Sequence, residues 1–244
     1  MTSKKLSELT CLSWLTVSCV LSGQGCSGTS ITSKAGDAST ASDAREVAQV
    51  PAGAKAAWSF EGNGTDSTGN GYTATLKGAA SYATTDSEDG LESLAVVGNT
   101  SYAEAGLVTT ATDNVTLSIW AKWNGEPGDE SILYNGQSGS NGYGIMLYSV
   151  NGMNLTVLLG GVNFLNSDVG LEIGQWTHVA TVRRNGQWEL WVDGIQASLT
   201  NSTASPVFPA GTVQIGLNLI GWVDNARIYE RALSVAELQS LALN

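Results

Sequence analysis

The stretch from Gly174 to Gly194, GQWTHVATVRRNGQWELWVDG, constrains the fold most strongly because it predicts a β-hairpin with a defined register. Its Asn185-Gly186 pair favours the positive φ angles of a two-residue type I′ turn, which would place Arg184 opposite Gln187. One side of the hairpin then carries His178, Ala180 and Trp191, and the other carries Val179, Thr181, Leu190 and Val192. Since both sides are largely apolar, we expect the hairpin to be covered on both faces inside a layered fold.

The rest of the chain after residue 54 also predicts strands, because short apolar runs alternate with Gly, Asn, Asp and Ser. The 29 glycines and only 4 prolines fit many tight turns, and the regular spacing favours an all-β sandwich or jelly roll over βαβ units. The predicted strands are Ala56–Phe60, Thr73–Leu76, Ser93–Val96, Val115–Trp123, Ser131–Tyr134, Tyr143–Ser149, Asn154–Leu159, Trp176–Arg183, Trp188–Asp193 and Thr212–Gly216.

One short helix is predicted at the C-terminal end, in RALSVAELQSLALN. Ser234 can cap its N-terminus while Glu237, three residues on, reaches back in a capping box. Val235, Leu238 and Leu241 follow at helical spacing, so we expect a short helix that closes the sandwich.

The charge of the chain excludes one class of partner. With 11 basic and 22 acidic residues the net charge is -11, whereas nucleic-acid binding needs a basic surface that displaces counterions. Nucleic acid is therefore not an expected partner. The excess of carboxylates is compatible with divalent-cation binding or with solubility alone.

Residues 1–26 are predicted to be a leader. Lys4 and Lys5 precede an apolar run from Leu9 to Leu21, which is shorter than the roughly 20 residues of a bilayer-spanning helix. The residues LSGQGC resemble the bacterial lipobox and predict lipidation of Cys26, although Gly23 stands where leucine is commoner. Cys19 is a second candidate, and cleavage of an ordinary signal peptide without lipid is the alternative.

Residues 27–53 are predicted to be a flexible linker, because they are rich in Ser, Thr, Ala and Gly and contain no aromatic residue. All three cysteines, Cys11, Cys19 and Cys26, precede this segment, so no disulfide is expected in the folded part. We expect a secreted or cell-envelope protein that contacts a membrane only through an N-terminal lipid anchor.

Four segments of residues 54–244 resemble, in the expected order, the laminin G-like domain of the concanavalin A-like lectin/glucanase superfamily. They are AAWSFEGNGTDSTGNGYTATLKG, NVTLSIWAKWN, the hairpin and GWVDNARIYERALSVAELQSL. The resemblance implies a two-sheet antiparallel jelly-roll sandwich with a short C-terminal helix. The chain departs from the family at Asn225, where many members have a second acidic residue after the position of Asp224.

The resemblance also implies a calcium site, which it places on Glu61, Asp66, Asn70 and Asp224. Calcium prefers carboxylate, amide and carbonyl oxygens, and EGNGTDSTGN offers all three in one loop. Such an ion would be structural and would hold the two ends of the domain together. The alternative is that Asp66 to Gly71 only form turns that bond their own backbone.

No catalytic device is predicted. His178 is expected to be a hydrogen-bonded core histidine, since a strand position beside Trp176 and Thr177 is usually packed. The E-x-D-x-x-E carboxylate pattern of the glucan-cleaving relatives is missing, and the spacing differs in the two nearest candidates. These are Asp129 with Glu130 and Glu189 with Asp193.

Aromatic rings are the candidates for sugar stacking. Those in the signature strands are expected to be core, namely Trp58, Trp120 and Trp176. Those near strand ends, turns or the loop NGQSGSNG are candidates for exposure, namely Trp123, Trp188, Trp222, Tyr134 and Tyr143.

These observations lead to three hypotheses for function. The first is a non-catalytic surface module that binds glycans or polysaccharide. The second is a structural or adhesion module that contacts a surface protein. The third is a glycoside hydrolase or lyase, which would require the fold to bring two carboxylates together in a cleft.

Overall fold

The computed structural model describes residues 49–98 and 100–244, which form two antiparallel β-sheets and one α-helix. The predicted all-β sandwich with a short C-terminal helix is confirmed. The predicted leader, the lipidation site Cys26 and the linker up to residue 48 lie outside the described residues. Within the described part, no helix is long and apolar enough to cross a membrane.

The first sheet has eight strands in the order β13-β12-β11-β6-β15-β4-β3, with β1 also paired to β15. Its strands are β1 (Ala56–Trp58), β3 (Ser81–Ala83), β4 (Ser93–Val97), β6 (Val115–Trp123), β11 (Trp176–Arg184), β12 (Gln187–Val192), β13 (Ile195–Ala197) and β15 (Ile220–Tyr229).

The second sheet has seven strands in the order β10-β9-β8-β7-β14-β5-β2. Its strands are β2 (Thr75–Lys77), β5 (Tyr102–Gly106), β7 (Glu130–Gln137), β8 (Asn141–Tyr148), β9 (Asn154–Leu159), β10 (Asn163–Gly170) and β14 (Thr212–Leu217).

The main core lies between the two sheets and follows the alternation of side chains along each strand. In β6, Leu117, Ile119 and Ala121 face this core. The intervening Ser118 and Trp120 therefore lie on the outer face of the eight-stranded sheet. They are buried as well, which shows that part of this outer face is covered.

The hairpin of β11 and β12 has the predicted register. Asn185 and Gly186 have φ angles of 50° and 80°, as a type I′ turn requires, and Arg184 pairs with Gln187. Val179 and Leu190 face the main core, whereas Ala180 belongs to a second apolar cluster on the outer face. The expectation of a hairpin covered on both sides is confirmed.

The cover on the outer face is the helix α1 (Val235–Leu241), which has the predicted capping box between Ser234 and Glu237. Leu238 and Leu241 are buried in the second cluster together with Trp191, but Val235 is 50% exposed and does not contribute to it. The periodicity therefore located the helix correctly but overstated its apolar face by one residue.

The sequence did not predict the strands β3, β5, β10 and β13. Their sequences SYA, YAEAG, NFLNSDVG and IQA are short or polar, and β3, β10 and β13 are edge strands. Pairing with a neighbouring strand, rather than a run of β-forming residues, determines their conformation.

Strand β15 exchanges partners halfway along its length. Ile220–Val223 pairs with β4, whereas Ala226–Ile228 pairs with β1. The register against β6 shifts between Asp224 and Arg227, and Asn225 has a φ of 49°. Asp224 and Asn225 therefore form a bulge at a gap in the sheet, where backbone groups lack a strand partner on one side.

Residues just before the predicted boundary at residue 54 contact the C-terminal part of the domain. The Tyr229 hydroxyl donates to the Pro51 carbonyl at 3.1 Å, and the Ser240 hydroxyl donates to the Gln49 carbonyl at 2.7 Å. The last residues of the predicted linker thus pack beside the C-terminal helix.

Candidate functional site

The part of the outer face that the helix does not cover carries a row of large side chains. Trp176 of β11 pairs in register with Lys122 of β6, which pairs with Trp222 of β15. All three are partly exposed. Because neighbouring strands lie about 4.8 Å apart, the Cα atoms of the two tryptophans are separated by about 10 Å. We call Trp176, Lys122 and Trp222 the tryptophan row.

Asp86, from the segment between β3 and β4, holds the tryptophan row in place. Its carboxylate accepts from Lys122 Nζ at 2.6 Å and from Trp176 Nε1 at 2.9 Å. Lys122 Nζ also lies 5.6 Å from the centroid of the Trp222 ring. The row therefore combines two aromatic surfaces with an ion pair that can donate and accept hydrogen bonds, as ligand sites commonly do.

At the other end of the same strands, the outer face is covered. His178 is fully buried on the outer face, where its Nε2 is 2.8 Å from Ser118 Oγ and its ring packs edge-on against Trp120. Burial, together with the charge of Arg227, lowers the pKa of His178 to about 3. The prediction of a core histidine is confirmed by this burial, but only Nε2 has a hydrogen-bond partner, because Nδ1 is buried without one.

Asp66, the second residue of the predicted calcium set, organises its own turn. Its carboxylate accepts from the backbone N–H groups of Ala57, Thr68 and Tyr72 and from the Thr68 hydroxyl. These donors hold the pKa of Asp66 below its usual range despite burial. Asn70 donates from its side chain to the Lys55 carbonyl at 3.0 Å.

Glu61 and Asp224 both contact the acidic segment Asp86–Glu92, at different points. Glu61 accepts from the Leu91 N–H at 3.1 Å, and Asp224 accepts from the Glu88 N–H at 3.3 Å. Burial raises the pKa of Asp224 to about 7, and burial with the charge of Asp89 raises the pKa of Glu88. Asp224 thus anchors this segment at the gap in the sheet.

The four residues of the predicted calcium set therefore have separate protein partners. Over residues 49–98 and 100–244, no group of three or more His, Cys, Asp or Glu side chains is arranged to hold a metal ion. Calcium binding by these residues stays a prediction.

The structure corrects several expectations about the aromatic residues. Trp176, expected in the core, is partly exposed, because it lies on the outer face beyond the reach of the helix. Four proposed exposed rings are buried, because three of them belong to the main core between the sheets and the fourth packs with Met146 and Leu158 in a separate apolar cluster. The three core rings are Trp123, Trp188 and Tyr143, and the fourth is Tyr134. Trp58 and Trp120 are buried and Trp222 is partly exposed, as expected.

Sequence reasoning missed Lys122 and Asp86. Lys122 could have been found from its register, since the outward side of β6 carries Ser118, Trp120 and Lys122 in alternation. Asp86 gave no such signal, because it is one of several acidic residues in DSEDGLE.

The carboxylates considered for catalysis are engaged elsewhere. Glu189 pairs with Arg184 at 2.8 Å, and Asp193 accepts from the His178 backbone N–H at 2.9 Å. Asp129 accepts from the Ser149 hydroxyl at 2.6 Å, and Glu130 accepts from Trp123 Nε1 at 3.3 Å. We assign no acid and nucleophile pair from these contacts.

Comparison with protein families finds one match. The model of the concanavalin A-like lectin/glucanases superfamily named Laminin_G_3 matches residues 97–239, which include the tryptophan row and most of both sheets. A comparison with curated protein sequences finds no match.

Several solved structures share the fold. Domain 4 of AbnA, a GH43 extracellular arabinanase from Geobacillus stearothermophilus, in complex with arabinotriose, aligns with a TM-score of 0.63 and 23% identity over 78% of this chain and 98% of that chain. The receptor binding domain of botulinum neurotoxin type G aligns with a TM-score of 0.56 and 15% identity, over 77% of this chain and 50% of that chain. Trypanosoma rangeli sialidase aligns with a TM-score of 0.59 and 20% identity, over 80% of this chain and 33% of that chain.

Proposed function

Since the chain belongs to the concanavalin A-like lectin/glucanase superfamily, we propose that its jelly-roll domain is a non-catalytic module that binds glycans. The binding surface in this proposal is the tryptophan row. The observation that carries it is the in-register placement of two partly exposed tryptophans around a lysine and aspartate pair.

The geometry suits a saccharide chain. A sugar ring has apolar C–H faces that pack on aromatic rings and hydroxyl groups that bond to polar side chains. With about 10 Å between the tryptophan backbones, a chain lying across β11, β6 and β15 can contact both rings. Lys122 and Asp86 lie between the rings and provide donors and acceptors for hydroxyl groups.

The charge of the chain narrows the ligand class. The net charge is -11, and Asp86, Glu88, Asp89 and Glu92 lie in the segment that borders the row. A strongly anionic polysaccharide would be repelled, so we propose neutral glycans as ligands. The complex of the arabinanase domain with arabinotriose supports this class, because that domain has the same fold.

The proposal is tested by glycan-array binding and by pull-down on insoluble polysaccharide, with arabino-oligosaccharides included among the probes. Trp176→Ala and Trp222→Ala are each expected to weaken binding by about tenfold or more, because buried aromatic contacts dominate such interfaces. The matched control is Phe208→Ala, which removes a ring that is 63% exposed outside the row.

Unchanged glycan affinity in both Trp176→Ala and Trp222→Ala would refute the tryptophan row as the binding surface. Failure of the native protein to bind any glycan or polysaccharide would refute the glycan-binding function. Saturable binding to a surface protein that saccharides do not inhibit would support the adhesion hypothesis instead.

We further propose that the protein is secreted and held at the cell envelope by a lipid on Cys26, as its leader sequence suggests. In this proposal, the Ser, Thr, Ala and Gly-rich segment after Cys26 is the tether between the anchor and the domain. Recovery of the Cys26→Ser variant in the membrane fraction at the same level as the native protein would exclude this anchor.

A further inference from the structure

A cleft with a volume of about 380 Å³ lies at the Trp176 end of the tryptophan row. Its walls are the start of β11, the end of β12, the end of β10 and the connection that joins β10 to β11. Because β12 is the neighbour of β11 on the side opposite to β6, the cleft continues the row beyond Trp176. A ligand that lies across β15, β6 and β11 therefore reaches this cleft next.

The cleft forms because β12 does not extend along the first residues of β11. The last residue pair between the two strands is Val179 with Val192. The chain then reverses at Asp193 and Gly194, which have φ angles of 47° and 72°, and continues into β13. No strand of the described part therefore pairs with Trp176 on this side, and the start of β11 has an open edge.

The open edge presents the backbone polar groups of Trp176. The His178 N–H donates to Asp193 Oδ1 at 2.9 Å, and the His178 carbonyl accepts from the Asp193 N–H at 2.9 Å. The backbone groups of His178 therefore point toward the β12 side. Those of Trp176, two residues away on the same strand, point in the same direction. One donor and one acceptor are thus available beside the aromatic ring that ends the row.

Three polar side chains around the cleft add further hydrogen-bonding groups. Glu172 and Gln175 come from the connection between β10 and β11 and are exposed. Asp193 uses Oδ1 for the His178 N–H, and its carboxylate has a second oxygen that can accept. No lysine or arginine lines the cleft, so acceptors predominate. Such a lining suits a partner that is rich in hydroxyl donors and carries no negative charge.

We propose that this cleft is a further subsite of the glycan-binding surface, which takes the next sugar residue of a neutral oligosaccharide that lies on the tryptophan row. The inference rests on the proposed function. Trp176 is the boundary between the two parts, with its ring in the row and its backbone groups directed toward the cleft. Glu172, Gln175 and Asp193 bond to hydroxyl groups of the sugar in the cleft.

The subsite makes affinity depend on the length of the glycan. An oligosaccharide that only spans Trp176 and Trp222 leaves the cleft empty, whereas a longer one enters it and forms additional hydrogen bonds. A small number of such bonds corresponds to about tenfold in affinity. The native protein is therefore expected to bind the longer members of a series about tenfold more tightly than the shortest, with no further gain once the cleft is filled.

Isothermal titration calorimetry with arabino-oligosaccharides and cello-oligosaccharides of two to six units tests the subsite. The double variant Glu172→Gln with Gln175→Ala is expected to lose most of the gain with length, while the shortest members, which stay on the row, bind as they do to the native protein. Both residues are exposed, so the changes spare the core. The matched control is Glu126→Gln with Gln187→Ala, since both residues are exposed and neither lines the cleft.

A gain with length that the Glu172 and Gln175 double variant retains would overturn the subsite, as would equal affinity of the native protein for all lengths. Trp222→Ala separates this failure from failure of the proposed function, because it is expected to weaken binding of every length alike. Weaker binding in Trp222→Ala together with no effect of length would leave the row as the binding surface and remove the cleft from it. Absence of binding to both series at every length would overturn the subsite together with the row.

Discussion

The two ends of the outer face of the eight-stranded sheet are formed largely by the same strands, but one end is covered and the other is partly exposed. At one end, Ala180, Trp191 and Tyr229 are buried beneath the C-terminal helix. At the other end, Trp176 and Trp222 remain partly exposed. We call these the helix-covered half and the open half. Strand alternation directs all five side chains outward, and the position of a single short helix decides which of them become core.

Whether an aromatic side chain on this face is structural or available for binding depends on what covers it, and not on its residue type. In the helix-covered half, His178 is buried and neutral, with its Nε2 2.8 Å from Ser118 Oγ. In the open half, Lys122 and Asp86 form an ion pair whose side chains are partly exposed to solvent. A mutation should therefore reduce stability in the first half and ligand binding in the second.

The largest effect is expected from Leu238→Ala, which removes a fully buried side chain from the contact between the helix and the sheet. The free energy of unfolding should fall by about 2–5 kcal/mol, since the transfer and cavity terms add. Denaturant unfolding followed by tryptophan fluorescence measures it.

Val235→Ala, in the same helix, is the control for this comparison, because Val235 is 50% exposed. This substitution should lower the free energy of unfolding by less than about 0.5 kcal/mol. Equal losses in the two variants would show that the helix is not the cover of this half.

An intermediate effect is expected from pH, through His178. Its folded pKa is about 3 and its unfolded value is 6.5, so the folded state binds fewer protons between these values. The stability contribution is complete above pH 6.5 and is lost as the pH falls toward 3. Between pH 7.5 and 4.5 the native protein should lose about 2–3 kcal/mol more than His178→Gln, whose side chain does not titrate.

Unfolding curves at a series of pH values measure this difference. The quantity to compare is the slope of the unfolding free energy against pH, and not the stability of either protein. Parallel slopes for the native protein and His178→Gln would mean that the histidine is not held neutral beneath the helix.

The smallest effect on stability is expected from Lys122→Met in the open half. The ion pair with Asp86 is partly exposed, with side-chain exposures of 19% and 23%, and pairs of this kind contribute about 0–1 kcal/mol. Thermal unfolding at low and high salt checks it, because any contribution should shrink as salt is added. A loss as large as that of Leu238→Ala would show that the open half is core as well, and the contrast between the halves would disappear.

Much of the fold could be predicted, because its strongest signals are local. Asn185 and Gly186 specify a turn by backbone conformation alone, and Ser234 with Glu237 specifies a helix start by two hydrogen bonds. The strand from Tyr102 to Gly106 could not be found in this way, since its conformation depends on β14 and β2 beside it.

The candidate sites depend on pairings between distant parts of the chain. Trp176, Lys122 and Trp222 are adjacent only because β11, β6 and β15 are neighbours, and Asp86 reaches them from a segment 90 residues from Trp176 along the chain. The cleft beside Trp176 was not predicted, because its walls come from both sheets, which meet only in the folded domain.

The sequence by itself therefore determined the all-β class, the register of the central hairpin, the capped helix and the alternation of the two faces along the hairpin strands. These properties follow from backbone preferences and from a side-chain period of two. Only the tertiary structure decided which outward residues are covered, which carboxylates find donors and which tryptophans remain open to a ligand. Burial and hydrogen-bond satisfaction are properties of the assembled layers, because they depend on what packs above a residue rather than on what precedes or follows it in the chain.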